Sequence, residues 1–257
     1  MQYGQRFRRW TRRRRAGPRV PTLAEGLPNR IVPALSIVIP TWREAGELPG
    51  TLQHARAVRE VSEIIVVDAG STDGTAALAK QLGCQVLTAA RSRGGQMRLG
   101  AAQATGEVVM LLHADTWLPE EAGRAIHDCL LDPEVVGGGF RKTFRERHFL
   151  RIGAKGRSAL LFRLGGPILG DQAMWVRREV LERIGGVPNM PLMEEFVLCQ
   201  KLRAVGRLTL ARATVTTSMR RFQKRGIART YLRMWRVMFR YWLGTSTDDL
   251  AKLYEAK

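Results

Sequence analysis

The 257-residue sequence has only three cysteines, Cys84, Cys129 and Cys199, odd in number and far apart. That spacing excludes a disulfide framework and a zinc knuckle, and it points to a reducing compartment. Long apolar runs are also missing. No stretch reaches the roughly 18 uncharged apolar residues of a spanning helix, and none of signal-peptide length follows the basic N-terminus. Neither secretion nor a membrane span is expected; the expected location is cytoplasmic, or peripheral at the inner face of a membrane. Aromatic residues make up only 7% of the chain and no internal repeat is present, so stacked-repeat architectures are not expected.

Acidic residues are absent where the bases are densest. Residues 1–30 hold nine Arg against one Glu, and the twelve Lys and Arg between Phe196 and Thr247 face no acid at all. Such density attracts phosphate, whether in nucleotide, nucleic acid or anionic lipid. Residues 1–33 combine this charge with Gly and Pro and no apolar periodicity, which predicts a basic disordered arm. A globular unit is expected over 34–218, and basic amphipathic helices over 219–257.

Within that unit, apolar runs at 35–39, 64–67, 85–88, 108–112 and 135–138 read as strands. Helical patterns at 45–59, 72–82, 96–104 and 120–130 separate them. Unbroken apolar strands alternating with helices predict an α/β fold, a Rossmann-like, mostly parallel sheet covered on both faces. The second half is less regular, with a strand at 173–177 and a helix at 194–205, and is expected to complete the sheet and form the acceptor side. Ligands of such sheets bind beyond the carboxyl ends of the strands. Polar clusters lie there after three strands: Pro40 to Glu44, Asp68 to Thr75, and His113 to Asp115. Asp68 suits a nucleobase or ribose, whereas Asp73, Ser71 and Thr72 suit turn and capping roles. Asp115 can bridge a hard divalent cation to a diphosphate. His113 suits either a metal or a hydrogen bond to ribose or phosphate.

These segments resemble the family 2 glycosyltransferases of GT-A fold. That family begins with a strand and a Pro-x-x-x-Glu turn, followed by a Val-Asp-Asp-Gly-Ser-x-Asp-Gly-Thr segment and an Asp-x-Asp metal motif. The resemblance implies donor contacts from Pro40, Glu44 and Asp68, with Ala69 in place of the second Asp. It implies Asp115 as ligand of Mn²⁺ or Mg²⁺, with His113 where the first Asp of the motif would stand. It further implies a catalytic base in the Glu-Asp position at a helix start, here Glu195, with Glu194 beside it as the alternative. The Arg91-Ser92-Arg93-Gly94-Gly95-Gln96-Met97 segment, Gly170-Asp171-Gln172 and Pro191-Leu192-Met193-Glu194 are similar to a small bacterial branch linked with arsenosugar synthesis. Arg91, Arg93 and Gln96 are thus expected at the donor diphosphate, and Asp171 at the acceptor or in a strand cap.

The activity so implied is inverting transfer of a sugar from a nucleotide diphosphate donor to a hydroxyl of a small or lipid-linked acceptor. A nucleotidyltransferase of related fold and a non-enzymatic binder of nucleic acid or an anionic surface are the rivals. No Ser-His-Asp set, nucleophilic Cys arrangement or zinc spacing competes. Residues 227–243 are expected to form a helix with Arg229, Arg233, Arg236 and Arg240 on one ridge. Its broad apolar remainder either meets an anionic membrane surface or packs on the domain or a second copy.

Overall fold

The computed structural model describes residues 33–255. The basic N-terminal arm lies outside the described residues, apart from Pro33. Eight strands form one sheet: β1 (Leu35–Thr41), β2 (Val61–Asp68), β3 (Gln85–Thr88), β4 (Val108–Leu111), β5 (Thr116–Trp117), β6 (Val135–Phe144), β7 (Met174–Arg177) and β8 (Arg207–Thr217). Their order is β3-β2-β1-β4-β7-β6-β8-β5. Strands β1 to β4 run parallel, and β6 is parallel to β8, while β7 and β5 run against their neighbours. The unbroken apolar runs occupy the middle, where both faces are covered: β4 is buried throughout, and so is β1 except at Pro40.

The helices are α1 (Leu48–Arg56), α2 (Thr75–Gln81), α3 (Arg93–Gln103), α4 (Ala122–Leu130), α5 (Ala154–Arg163), α6 (Arg178–Arg183), α7 (Glu194–Val205), α8 (Arg220–Arg225), α9 (Ile227–Trp242) and α10 (Thr247–Glu255). One core layer joins α1 and α4 to the sheet through Leu48, Leu52 and Ile126. The opposite layer joins α3 and α7 through Met97, Leu198 and Leu202. Trp175 of β7 is fully buried and lies directly over Gly138 of β6, where a Cβ would overlap the Trp175 ring edge and the Thr209 carbonyl. The glycine run of β6 therefore makes room for the largest core side chain.

Topology explains where the site must be. Register pairs Thr41 with Asp68 and Val38 with Leu111, so β1, β2 and β4 end on one edge. Two reversals of direction, β4 to β7 and β7 to β6, bring the ends of β6 and β8 to that same edge. Strand β7 starts there, so the 3₁₀ turn Gly170–Gln172 that precedes it arrives there too.

Candidate active site

The turn after β1 is tied to the turn after β2 by side chains of the second. Asp68 is buried, and its Oδ1 accepts hydrogen bonds from the hydroxyls of Thr41 (2.9 Å) and Ser71 (2.6 Å), while Oδ2 accepts from the Ser71 amide at 2.7 Å. Asp73 accepts from the Ala45 amide and from Thr75, as a turn residue should. Trp42 stands on this turn with the Arg43 and Arg91 guanidinium groups 5.3 and 4.8 Å from its ring centre. Pro40 pairs in register with Val67 and precedes the turn. Asp68 therefore builds the platform with its carboxylate turned inward. Gln96 is buried as well, its amide donating to the carbonyls of Thr41 (2.9 Å) and Val67 (2.7 Å). It satisfies strand-end carbonyls instead of reaching outward.

Helix α3 starts at Arg93 because Ser92 caps it, its hydroxyl accepting from the Gly95 amide at 3.2 Å. That start brings Arg93 to the acids that open α7. Its Nε donates to Oε1 of Glu194, and its terminal nitrogen lies 3.6 Å from Oε1 of Glu195. The two acids open α7, where their charge meets the positive end of the helix. Glu194 is fully buried, and burial raises its carboxyl despite Arg93. Burial would raise Glu195 too, but Arg93 and then His113 outweigh it and hold that carboxyl down at about 2. Arg93 itself is held charged, its burial more than offset by the two carboxylates.

Oε1 of Glu195 faces Nε2 of His113 at 3.6 Å, too long for a hydrogen bond. Gly170 fits between them: a Cβ there would overlap both His113 Nε2 and Glu195 Oε1. Asp171 follows, with Oδ2 paired to Lys142 of β6. All of these groups except Lys142 border one pocket of about 180 Å³, whose other wall is apolar: Phe222 of α8, Met234, Val237 and Met238 of α9, and Tyr254 of α10.

Asp115 lies on the same pocket beside Arg220, whose Nε is 3.3 Å from its Oδ2. The other arm of Arg220 reaches Glu44 at 2.6 Å, so one guanidinium bridges the β1 turn and the β4 turn. Burial raises the Glu44 carboxyl in spite of that partner. Arg220 belongs to the site although it lies in the span 219–257 expected to form basic amphipathic helices. It comes to this edge because β8 ends at Thr217, and nothing in the local sequence marks it. Lys142 was missed for the same reason.

Residues 36–185, more than half the chain, match the profile of glycosyl transferase family 2. The chain belongs to that family. Among curated relatives of this family 2 chain is the undecaprenyl-phosphate 4-deoxy-4-formamido-L-arabinose transferase of Pectobacterium carotovorum subsp. carotovorum (strain PC1). It is 29% identical over 156 residues, covering 56% of this chain and 47% of the relative. The enzyme of the same name from Proteus mirabilis (strain HI4320) is 26% identical over 156 residues, 56% of this chain and 48% of its own. The chain thus spans about half the length of the curated relatives it matches. Among solved structures, the mannosyltransferase PcManGT from Pyrobaculum calidifontis, in complex with GDP-Man and Mn²⁺, superposes with a TM-score of 0.62. Its sequence is 21% identical, with 91% of this chain and 67% of that one covered. Mannosyl-3-phosphoglycerate synthase from Rubrobacter xylanophilus follows at a TM-score of 0.50 and 22% identity, with 81% and 75% covered. Both likenesses establish the GT-A fold.

Proposed function

We propose that this chain moves a sugar from a nucleotide diphosphate donor to a hydroxyl of an acceptor seated in the pocket, inverting the anomeric centre. The observation that carries the reading is a convergence of unmet polar atoms. His113 Nε2, Asp171 Oδ1 and Glu195 Oε1 are buried, have no hydrogen-bond partner among the described residues, and border one pocket beside Asp115. Each such atom costs about 1–3 kcal/mol, a cost that a polyhydroxylated ligand offsets by supplying the missing bonds.

Glu195 serves as the base because it is held ionised and borders the pocket. It accepts the acceptor O–H proton as the oxygen bonds to the anomeric carbon; the carbon–oxygen bond to the diphosphate breaks, and its electron pair leaves on the nucleoside diphosphate. Arg93 fixes both carboxylates of α7, and Gly170 keeps open the gap between Glu195 and His113. The donor's nucleotide is received at the turn that carries Trp42, with Arg91 stacked over that ring, and Arg220 adds positive charge near the diphosphate.

A divalent cation fits at Asp115. Asp115 offers a pocket-lining carboxylate, a hard oxygen ligand, and the Arg220 guanidinium 3.3 Å from its Oδ2 is the group with which a cation would have to share it. Among the described residues no group of three or more His, Cys, Asp or Glu is placed to hold a metal ion. Asp115 would therefore hold such a cation with few other protein ligands, as is usual for Mg²⁺. It would supply neutralising charge at the departing diphosphate. The Mn²⁺ of the PcManGT complex agrees with a divalent cation here.

Placement in the arsenosugar-linked bacterial branch rests on the resemblance of its segments, of which Arg91–Met97 and Pro191–Glu194 meet through the Arg93–Glu194 pair. The test of function is a screen of nucleotide sugars with Mn²⁺ or Mg²⁺, scored by the released product. Nucleoside diphosphate is expected; pyrophosphate would show nucleotidyl transfer instead. Donor-dependent thermal stabilisation that needs the metal should accompany turnover.

A further inference from the structure

Helix α9 divides into three sides. Thr230 and Val237 are buried against the domain, with Met234 half-buried beside them. Next around the helix is an exposed apolar arc holding Leu232 (58% exposed), Trp235 (62%), Phe239 (50%) and Trp242 (67%), with the Trp235 and Phe239 rings stacked at 5.4 Å. Last come Arg229, Arg236 and Arg240, all exposed, on a strip that borders the arc along its far side. A solvated helix places polar residues opposite its buried side. Here large aromatic side chains take most of that place.

A second exposed apolar segment adjoins the first. Phe149 and Ile152 are 64% and 77% exposed on the turn leading into α5, and Leu161 on α5 is 62% exposed. That turn joins the C-terminal helices through Leu150 and Ala154, which pack with Phe144, Met219 and Phe222; Phe222 in turn meets Tyr231 of α9 at 5.4 Å. The charge within both segments has one sign, although α10, packed on α9, carries Asp248 and Asp249. Residues 147–170 hold five Arg or Lys and no acid, and residues 196–247 hold twelve and none.

We infer that α9 and the 149–164 segment form one docking face for an anionic lipid bilayer, and that the pocket receives its acceptor from that bilayer. Apolar arcs with flanking Arg are the pattern of a helix lying in the interface plane, its aromatic side in the acyl boundary and its guanidinium groups at the phosphates. A second copy of the chain, carrying the same positive rim, would be repelled. No helix among the described residues is long and apolar enough to cross a membrane, so the face lies on the bilayer and does not enter it as a span. The pocket adds a direct connection. Met238 borders the pocket and is also 41% exposed on α9, so the wall between Glu195 and the bilayer is one helix thick and apolar. An acceptor with an apolar tail and a polar hydroxylated head suits this wall: tail against Met234 and Met238, head toward Glu195. The acceptor class rests on the glycosyl-transfer reading above; the docking face does not.

The full chain is tested by flotation with phosphatidylcholine vesicles, with and without phosphatidylglycerol. Binding is expected only with the anionic lipid and is expected to fall as salt rises. The W235S/F239S double variant should bind about tenfold or more weakly, and F149S/I152S should also lose affinity, while both keep the parent's melting temperature. Quenching of tryptophan emission by brominated lipid should drop in Trp235→Phe, which reads insertion directly. The inference is overturned if the parent stays soluble with anionic vesicles at low salt, or if W235S/F239S floats as well as the parent. It is equally overturned if the parent is a dimer that W235S/F239S converts to monomer without changing vesicle binding. Nucleoside diphosphate release without vesicles is measured separately, so failure of sugar transfer and failure of docking are told apart.

Discussion

Replacing Arg93 with Met keeps the side chain's bulk and removes the charge that two buried carboxylates share. In the parent, the guanidinium donates to Glu194 and lies 3.6 Å from Glu195. At an effective dielectric constant of about 20, a unit charge pair at that separation is worth about 4–5 kcal/mol before desolvation. Breaking a buried pair by removing one partner costs about 3–5 kcal/mol, so the two figures agree. The loss should depend on pH. Glu195 is held low in the parent, so its contribution to stability is complete above the ordinary carboxylate range and fades only as pH falls toward about 2. In the variant the largest opposition to burial is gone and His113 remains beside Glu195, so both carboxyls move upward, and stability is lost as pH rises and they ionise. Glu194 is raised in the parent as well, so part of its titration cancels. Denaturant unfolding across pH should therefore show a small deficit only near pH ~2, one that widens as pH rises to about 3–5 kcal/mol near neutrality. Arg93→Lys should recover part of it, and the acid limb of kcat/KM should move upward in Arg93→Met. A deficit of the same size at every pH would refute the reasoning and reduce Arg93 to packing.

Asp115→Asn should abolish turnover and the metal-dependent part of donor stabilisation while the fold survives; full metal-dependent activity in a donor assay would make Asp115 a turn residue. Glu195→Gln should lower turnover about a hundredfold or more with donor affinity unchanged, and Glu194→Gln should act more on stability than on rate. The reverse order in steady-state kinetics would make Glu194 the base. Gly170→Ala should lower kcat by about tenfold or more, because its Cβ would displace Glu195 and His113; unchanged kinetics would show that the gap is not used. Lys142→Met should raise KM for acceptor by releasing Asp171 from its ion pair, and an unaltered KM would separate Asp171 from the acceptor.

Much of the sheet was legible because its central strands are unbroken apolar runs, a signal of burial on both faces. The expected strands 35–39, 64–67 and 108–112 fall on β1, β2 and β4, and the helix at 194–205 coincides with α7. Strand β8 was not legible. Its inward positions include Ala211, Ala213 and Thr217, residues too small or too polar to stand out as an apolar alternation. Motif order correctly grouped the strand-end clusters, since parallel strands must end on one edge. It could not assign what each side chain does there. Arg93, expected at a diphosphate, pairs with the two acids of α7, because the Ser92 cap fixes the helix start and hence its direction. Gln96 and Asp68, expected as ligand contacts, spend their polar atoms on strand ends and on the neighbouring turn. Whether a polar residue faces a ligand or its own backbone is decided by hydrogen-bond supply around it, and sequence spacing does not carry that information.

Backbone strain points to the same edge independently of motif or pocket. Among the described residues the non-glycine positions with positive φ are Arg43 (56°), Ala173 (46°) and Met193 (70°). Arg43 lies in the turn that carries Trp42 and Glu44, Ala173 ends the turn that presents Gly170 and Asp171, and Met193 directly precedes Glu194 and Glu195. Each such residue costs about 1–3 kcal/mol and persists only where the surroundings over-determine it. The surroundings are visible in each case. The Arg43 amide is held by the Ser71 hydroxyl at 2.8 Å, Ala173 is fully buried in the sheet core, and Met193 is buried with Val237 of α9 and Leu250 of α10. The last contact packs the C-terminal helices against the residue that precedes the α7 carboxylates. A change that loosens α9 from the domain would relax Met193 and, with it, the placement of Glu195.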